Sequence, residues 1–423
     1  MHVTKLETRH EAYRVATRNG GAAGSDGQTV EAIEQAGRWR VLAALQQELI
    51  SGRYQPQAHR RVDLPKGHGK SRTLPSPCLR ARVGQGALQL MLEAIFEADC
   101  CENADGDRPG RSPQQALAHV RRRVVRRRST GIDVDLSRYV ENIRHAVLWD
   151  KIAKRVQDPQ VLRLIKQTLK GGGHVGGPQG GPLSPLAATI YVNEGDWAVD
   201  AIRRKTAAGD YEAVHYHRFA ADIVSTASGH RRKRGGAQRA WQRLQESLAP
   251  LGVSLNPETT KMVDPLKGEA CSVLGCDLRR VGRRRGEGHF ILITPKKSAR
   301  LAIKAKSRES IRQAGATPLK EVIVRINRVL AGWVHYFRCG HASRAFSEVR
   351  DYVEMKIRTL LTRRKRRRKR SIGWQRWRSG YLDDVLGVFW DWKVRHLPHA
   401  GSYTCKWPPE ARGPITLMVK VMG

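Results

Sequence analysis

The feature that most constrains the fold is the stretch from 176 to 193, GGPQGGPLSPLAATIYVN. Its glycines and prolines leave no helical or strand period at the start. After Ser184 and Pro185, apolar residues recur at helical spacing, which is typical of a helix that begins there. A glycine-rich loop before a helix exposes backbone N–H groups and suits a polyanion. A flexible linker into a buried helix is the alternative, and no Gly-Lys-Ser/Thr follows, so the stretch is not a mononucleotide P-loop.

The net charge indicates the class of partner. The chain of 423 residues has 77 Lys and Arg against 39 Asp and Glu, a formal net charge of +38. Self-repulsion on this scale opposes the compact state, and a polyanion relieves it. Nucleic acid is the first candidate, and an anionic membrane surface is the second.

We expect no membrane partner and a cytoplasmic, bacterial-type location. No apolar run approaches the roughly 18 residues of a spanning helix, and the first residues lack the apolar segment of a secretory signal. The seven cysteines include the adjacent Cys100 and Cys101, and Cys271 and Cys276 have the wrong spacing for a zinc knuckle. We predict that all seven are reduced thiols.

A basic hairpin is predicted between residues 59 and 76, where the strand-like RRVDL is followed by a Lys-Gly-His-Gly turn. Lys66 lies in the turn, and the return strand carries Lys70 and Arg72. Two cations on a hairpin can grip a triphosphate, the arginine by its planar fork and the lysine as a point charge. A solvated basic hairpin is the simpler alternative.

Two further segments bring carboxylates into strands. Alternation along GIDVDLS places Asp133 and Asp135 on one face of a strand, and HYHRFAADIVS at 215–225 predicts a β-hairpin that contains Asp222. Carboxylate oxygens on a strand can bind Mg²⁺ together with substrate phosphates. An exposed Asp pair with a purely structural role is the alternative.

From Thr294 the pattern becomes helical and ends in a basic run at 363–370. Such a run is usually a solvated tail, but two tryptophans interleaved with arginines favour contact with RNA. The residues predicted to bind RNA are Arg363, Arg364, Lys365, Arg366, Arg367, Arg368, Lys369, Arg370, Trp374 and Trp377.

Ordered motifs along the chain resemble those of reverse transcriptases, and most closely the group II intron reverse transcriptase/maturases. PQG-x-PLSPL resembles the template-contacting loop and helix of that family. The hairpin motif matches at Pro65, Lys66, Gly69, Lys70, Arg72, Leu74, Pro77, Arg80, Arg82 and Gln85, and the next motif matches at Arg108, Pro109, Gly110, Arg111 and Ser112. The maturase-specific region is resembled at Asn327, Leu330, Gly332, Trp333, Tyr336 and Phe337. Departures occur at Ala81, Asp105, Asp107 and Thr259.

The resemblance implies a catalytic centre with two Mg²⁺ ions and assigns residues to it. Asp135 stands at the metal-binding aspartate of the family pattern. The Tyr-Ala-Asp-Asp turn of the family is represented here by Phe219, Ala220, Ala221 and Asp222. Ala221 therefore replaces the direct ligand of both ions, and Asp135 and Asp222 are the implied remaining catalytic and metal-binding residues. The residues implied to contact substrate are Lys66, Lys70, Arg72, Tyr139, Gln179, Gly180 and Phe219.

The fold implied by the resemblance is α+β: a right-hand polymerase with fingers and palm around a small antiparallel sheet, followed by an α-helical thumb. The predicted domains are an N-terminal extension with fingers at 1–130, a palm at 131–292, a thumb or maturase domain with its basic region at 293–395, and an unassigned tail at 396–423.

Three functions remain open at this stage. The first is binding of structured group II intron RNA to assist splicing and mobility, with RNA-directed DNA synthesis lost through Ala221. The second is an active reverse transcriptase with a rewired metal site that uses Asp133 or Asp222, with a DNA target and dNTPs as further partners. The third is a generic basic RNA-binding protein or a decayed gene product.

Overall fold

The structure is a computed structural model with two compact units, one from residues 1–116 and 128–262 and the other from residues 117–127 and 263–407. Within strands in 64–74 and 128–135 it describes the backbone only. It describes residues 3, 5–18, 23–57, 59–67, 70–125, 128–137, 140–171, 176, 180–206, 214–228, 235–255, 261–263, 268–283, 288–365 and 371–395.

The first unit combines helices with two antiparallel sheets. Its helices are α1 (Leu6–Thr17), α2 (Val30–Gln35), α3 (Arg38–Ile50), α4 (Leu79–Phe96), α6 (His145–Ala153), α7 (Pro159–Gly171), α8 (Leu183–Thr206) and α9 (Gly235–Leu248). Helix α5 (Pro113–Val125) contains the boundary between the residue ranges of the two units.

The strands of the first unit form a hairpin and a larger sheet. The hairpin consists of β1 (Arg60–Gly67) and β2 (Lys70–Ser76). The larger sheet has the order β4-β5-β3-β6, with β7 also paired to β3. Its strands are β3 (Arg128–Ser137), β4 (Val214–Phe219), β5 (Asp222–Ser228), β6 (Ser254–Leu255) and β7 (Lys261–Val263).

Helix α8 forms because apolar side chains recur on one face behind Ser184 and Pro185, as the sequence predicts. Leu183, Leu186 and Tyr191 of this face are buried in the core of the first unit. The Tyr191 hydroxyl donates a hydrogen bond to the Leu251 carbonyl at 2.6 Å, so this buried phenol is satisfied. The helix thus starts where the glycine-rich loop ends, and its buried apolar face anchors it in the core of the first unit.

The second unit packs a small sheet with helices. The strands β8 (Cys271–Val273), β9 (Cys276–Gly282) and β10 (His289–Pro295) are antiparallel in the order β10-β9-β8. The helices are α10 (Lys297–Arg312), α11 (Leu319–Phe337), α12 (Ser343–Arg364) and α13 (Ser371–Arg376), followed by one π-helical turn at Tyr381–Val385. Trp333 is buried at the centre, with its ring centroid 5.1 Å from that of Phe337 and 5.6 Å from that of Phe346.

Most of the predicted elements are confirmed: the basic hairpin, the hairpin around Asp222, the helix after the glycine-rich loop and the helical C-terminal region. One start is wrong, because Thr294 and Pro295 complete β10 and the helices begin at Lys297. The chain is mixed α+β, mostly helical with small antiparallel sheets. The predicted domain limits stay a prediction.

Two other properties concern the described part of the chain. None of its helices combines the length and the apolar character that crossing a bilayer requires. The six cysteines described are buried free thiols, and burial raises the pKa of Cys101 and of Cys339 to about 11. Both thiols therefore stay protonated at neutral pH.

Candidate functional site

The site is built around the tight hairpin between β4 and β5. Phe219 and Asp222 pair across it, and Ala220 and Ala221 form the turn. Ala220 has φ of 53°, in the left-handed region that few non-glycine residues adopt. Ala221 and Asp222 are both half-buried. The turn therefore has a tight, regular backbone. It carries one carboxylate, that of Asp222, where the Tyr-Ala-Asp-Asp pattern has two.

The register of the sheet brings this turn beside Asp135. In β3, Asp135 is the direct partner of Asp222. The next residue, Leu136, donates its backbone N–H to the carbonyl of Ala221 at 3.1 Å. Antiparallel partners lie about 4.5–5.5 Å apart. The backbone therefore brings Asp135 close to Ala221 and Asp222. In the sequence, 86 positions separate Asp135 from Ala221.

A buried ion pair supports the hairpin from behind. Arg218 of β4 donates from Nε and Nη2 to the carboxylate of Asp196 on α8, at 2.7 to 3.0 Å. Both side chains are 1% exposed. The Nη1 of Arg218 donates to the carbonyl of Ala220 at 3.3 Å, which ties the guanidinium to the turn itself. Asp196 also accepts from the hydroxyl of Tyr216, and burial, then Asp196, raises the pKa of Tyr216 far above its usual value.

The loop from 103 to 111 supports the same strand from another side. Arg218 donates its N–H to the carbonyl of Asn103 at 2.8 Å, and Asp105 donates its N–H to the carbonyl of Arg218 at 2.8 Å. The buried Asp105 carboxylate lies 3.0 Å from Nε2 of His217. A Cβ on Gly106 would lie 1.9 Å from the backbone nitrogen of Ala220, so only glycine permits this approach.

The glycine-rich loop packs against the chain at the points that are described. His145 Nε2 lies 2.7 Å from the carbonyl oxygen of Gly176. The N–H of Gly176 donates a hydrogen bond to the carbonyl of Ile143 at 2.9 Å. Gly180 has φ of +79°, and a Cβ there would lie 1.8 Å from the carbonyl oxygen of Pro75. Close packing against the end of β2 is therefore one physical reason for glycine at 180. Its predicted contact with substrate stays a prediction.

Several predicted substrate residues cannot be placed by their side chains. Lys66, Lys70 and Arg72 lie on the β1–β2 hairpin, where the backbone alone is described. Tyr139 and Gln179 lie outside the described residues, and so do Arg366 to Arg370 of the basic run. Arg363, Arg364 and Lys365, at the end of α12, are exposed.

The two predicted RNA-binding tryptophans differ in burial. Trp374 is 53% exposed, whereas Trp377 is 3% exposed. Trp374 could stack on a base as it stands. Trp377 would first have to leave its packed position, so its predicted role would need a rearrangement.

Comparison with known proteins decides the family. Residues 64–278 match the reverse transcriptase (RNA-dependent DNA polymerase) family, and residues 300–380 match the group II intron maturase-specific domain. Protein YkfC of Escherichia coli K12 is 30% identical over 337 residues, covering 70% of this chain and 87% of YkfC. The chain belongs to the group II intron reverse transcriptase/maturase family.

A second relative in this family is the group II intron-encoded protein LtrA of Lactococcus lactis subsp. cremoris. It is 33% identical over 169 residues, which cover 38% of this chain and 28% of LtrA. The maturase-specific match lies wholly within the second unit: it begins inside α10 and ends at residue 380, just before the π-helical turn.

Reverse transcriptases use divalent metal ions, so the hairpin can be tested for its fit to them. Position 221 offers a methyl group, which has no lone pair to donate to a cation. Asp135 and Asp222 remain as paired residues of β3 and β5. The residues at the turn do not fit a two-ion site that requires a bridging carboxylate at 221.

Sequence reasoning missed the residues that support the hairpin. Asp196 is one of three acidic residues within α8, and no motif distinguishes it from Glu194 and Asp200. Asp105 was recognised only as a departure from the family pattern. Each is identified by a buried partner from a distant part of the chain, Arg218 for Asp196 and His217 for Asp105.

Proposed function

We propose that this chain binds structured group II intron RNA and assists its splicing, and that its RNA-directed DNA synthesis is lost. One observation supports the loss: Ala221 stands at the hairpin turn, with its carbonyl bonded to the residue after Asp135. The rest of the hairpin is intact and supported by the Asp196–Arg218 pair. We assign the N-terminal extension and fingers to 1–130, the palm to 131–292 and the thumb to 293–395.

The physical argument for the loss concerns charge at the reacting atoms. Attack by the primer hydroxyl needs that hydroxyl ionised and the leaving oxygens neutralised, which carboxylate-bound cations do in this family. With alanine at 221, only the carboxylates of Asp135 and Asp222 remain to bind the cations, instead of three carboxylates. A missing direct ligand that slows the reaction a thousandfold corresponds to about 4 kcal/mol in the barrier.

Restoring the carboxylate tests the proposal. We expect the unmodified chain to bind intron RNA but to extend no primer in Mg²⁺ or Mn²⁺. Ala221→Asp restores extension, because it returns a bridging ligand to an intact turn. Ala221→Asn has nearly the same shape without the charge, and we expect it to stay inactive. Asp135→Ala in the Ala221→Asp background is the control for contaminating polymerases and should abolish the restored activity.

The register also supports a second candidate, because it pairs Asp135 with Asp222. If the unmodified chain extends primers and loses this on Asp222→Ala or Asp133→Ala, the metal site is rewired and the enzyme is active. If even Ala221→Asp is inactive although RNA binding persists, further palm residues have been lost. If the unmodified chain binds no RNA, the maturase proposal is wrong.

A further inference from the structure

In the second unit, a buried ion pair lies directly beneath an exposed aromatic ring. Arg358 and Glu354 are one turn apart on α12, and their side chains are 4% and 6% exposed. Nη2 of Arg358 donates to the Glu354 carboxylate at 2.9 Å. Nε of Arg358 donates to the carbonyl of Trp377 at 2.8 Å. Four buried hydrogen-bonding atoms thus fix the plane of the guanidinium.

Ser379 completes this arrangement. Its hydroxyl donates to Glu354 Oε2 at 2.7 Å and lies 3.2 Å from Nη2 of Arg358. Hydrogen bonds therefore attach the segment from α13 to Ser379 to α12. They stabilise α13 in addition to the hydrogen bonds within its own short helix. A six-residue helix would be marginal without such contacts.

The indole of Trp374 lies on this fixed guanidinium. The central carbon of Arg358 is 4.2 Å from the centroid of the ring, well inside the range of a cation–π contact. Trp374 nevertheless remains 53% exposed. Because one face of the ring is against Arg358, the exposed area belongs to the opposite face and the edges. The ring is thus oriented on one side and open on the other.

The sequence just before Trp374 is strongly basic, which favours a nucleic acid as the partner of the ring. The basic run 363–370 ends four residues before Trp374 and joins α12 to α13. At the other end of the run, Nη2 of Arg364 donates to the carbonyl of Thr317 at 2.6 Å. The first residues of the run are therefore held against the loop before α11. Because the run ends four residues before Trp374, a nucleic acid strand whose phosphates bind the run has bases within reach of the ring.

An open, oriented ring favours an unpaired base over a paired one. Bases inside a duplex are already stacked on both faces, so an outside ring finds no free face. A base in a loop or single strand has one, and stacking on aromatic side chains is the usual way in which single-stranded RNA is held. We propose that Trp374 is a stacking platform for one unpaired nucleobase of the bound RNA, and that Arg358 is the positioning residue that holds the ring. This rests on the proposed RNA binding.

The test compares single-stranded with duplex RNA. The full-length chain is titrated into a short unstructured labelled RNA and into a blunt duplex of equal length, and affinity is read by fluorescence anisotropy. Trp374→Ala should weaken binding of the single strand about 5- to 100-fold, and of the duplex less than about twofold. Trp390→Ala is the matched control, since Trp390 lies in the same unit and is 68% exposed.

Conservative variants separate stacking from folding. Trp374→Phe keeps an aromatic face and should stay within about threefold of the unmodified chain, whereas Trp374→Leu keeps only apolar packing and should lose as much as Trp374→Ala. Arg358→Lys keeps the charge but loses the planar fork, and should lower affinity for the single strand alone. The slope of log affinity against log salt should not change in any of them, since stacking releases no counterions.

Three results would overturn the inference while leaving RNA binding in place: equal losses on single strand and duplex, a loss no larger than that of Trp390→Ala, or equal behaviour of the Phe and Leu variants. Melting curves show whether each variant is folded. The affinities of the Trp374→Phe and Trp374→Leu variants are compared when their melting temperatures are equal. An unmodified chain that binds neither RNA at low salt would overturn the proposed function and this inference together.

Discussion

At the residue scale, Asp196 is a buried support of the hairpin between β4 and β5. It accepts three hydrogen bonds from Arg218 and one from Tyr216, with both members of the ion pair 1% exposed. A buried ion pair adds little net stability, because desolvation offsets the attraction. Removal of one partner is costly because the other charge then stays buried and uncompensated.

Asp196→Asn should therefore destabilise the first unit by about 3–5 kcal/mol. Urea unfolding followed by circular dichroism measures this change. Glu246→Gln is the matched control on α9, where Arg243 and Glu246 are 67% and 47% exposed, and it should stay within about 1 kcal/mol. Similar unfolding midpoints for the two variants would show that the pair is not a buried support.

At the scale of elements, one carboxylate links two helices of the second unit. Glu348 of α12 accepts from Lys304 of α10 at 2.6 Å and from Arg300 of the same helix. Hydrogen bonds from Lys304 and Arg300 lower the pKa of Glu348 below its ordinary value, against the opposing effect of burial. Because Glu348 is 39% exposed, solvent weakens this interaction.

The sign of the pH dependence follows from the lowered pKa. The folded chain holds the Glu348 proton less tightly than the unfolded chain, so its contribution is complete above the unfolded pKa of about 4.3. The contribution is lost as pH falls through the lower folded value. Glu348→Gln should cost about 1 kcal/mol at pH 7, and the cost should shrink as the pH falls below about 4.3, measured by urea unfolding at each pH. A difference that grows on acidification would contradict the assignment.

The whole molecule is dominated by its charge of +38. Affinity for RNA should fall steeply with salt, since each phosphate contact contributes roughly −0.7 to −0.9 to the slope of log affinity against log salt. Replacement of Arg363 and residues 365–370 by glutamine should make this slope shallower and leave the melting temperature unchanged, because Arg363 and Lys365 are exposed. Arg364 is kept, because its guanidinium donates to the carbonyl of Thr317.

The matched control for this experiment replaces the same arginines by lysine and likewise keeps Arg364. This variant keeps every charge and should keep the slope. Filter binding at several salt concentrations measures both. Binding that stays flat between low and physiological salt would contradict the nucleic-acid interpretation, and a collapse of the melting temperature in the glutamine variant would make the run structural.

The sequence alone determined the family and most of the elements. Helix α8, both hairpins and the helical C-terminal region follow from local apolar spacing and turn residues, which act over a few neighbouring residues. The loss that we propose at Ala221 also rests on the sequence, because its neighbours Phe219 and Asp222 resemble the family motif around it. These features need only residue types and their order along the chain.

Tertiary structure decided what depends on residues far apart in sequence. The pairing of Asp135 with Asp222 is a matter of strand register, which no local pattern specifies. Asp196 and Arg218 each look like an ordinary surface charge until the fold buries them together. Trp374 and Trp377 are equivalent in sequence, yet only the first remains open, because α13 closes back onto Arg358 and buries the second. The burial of a side chain and its contacts arise only when the chain packs, and both determine the chemistry of that side chain.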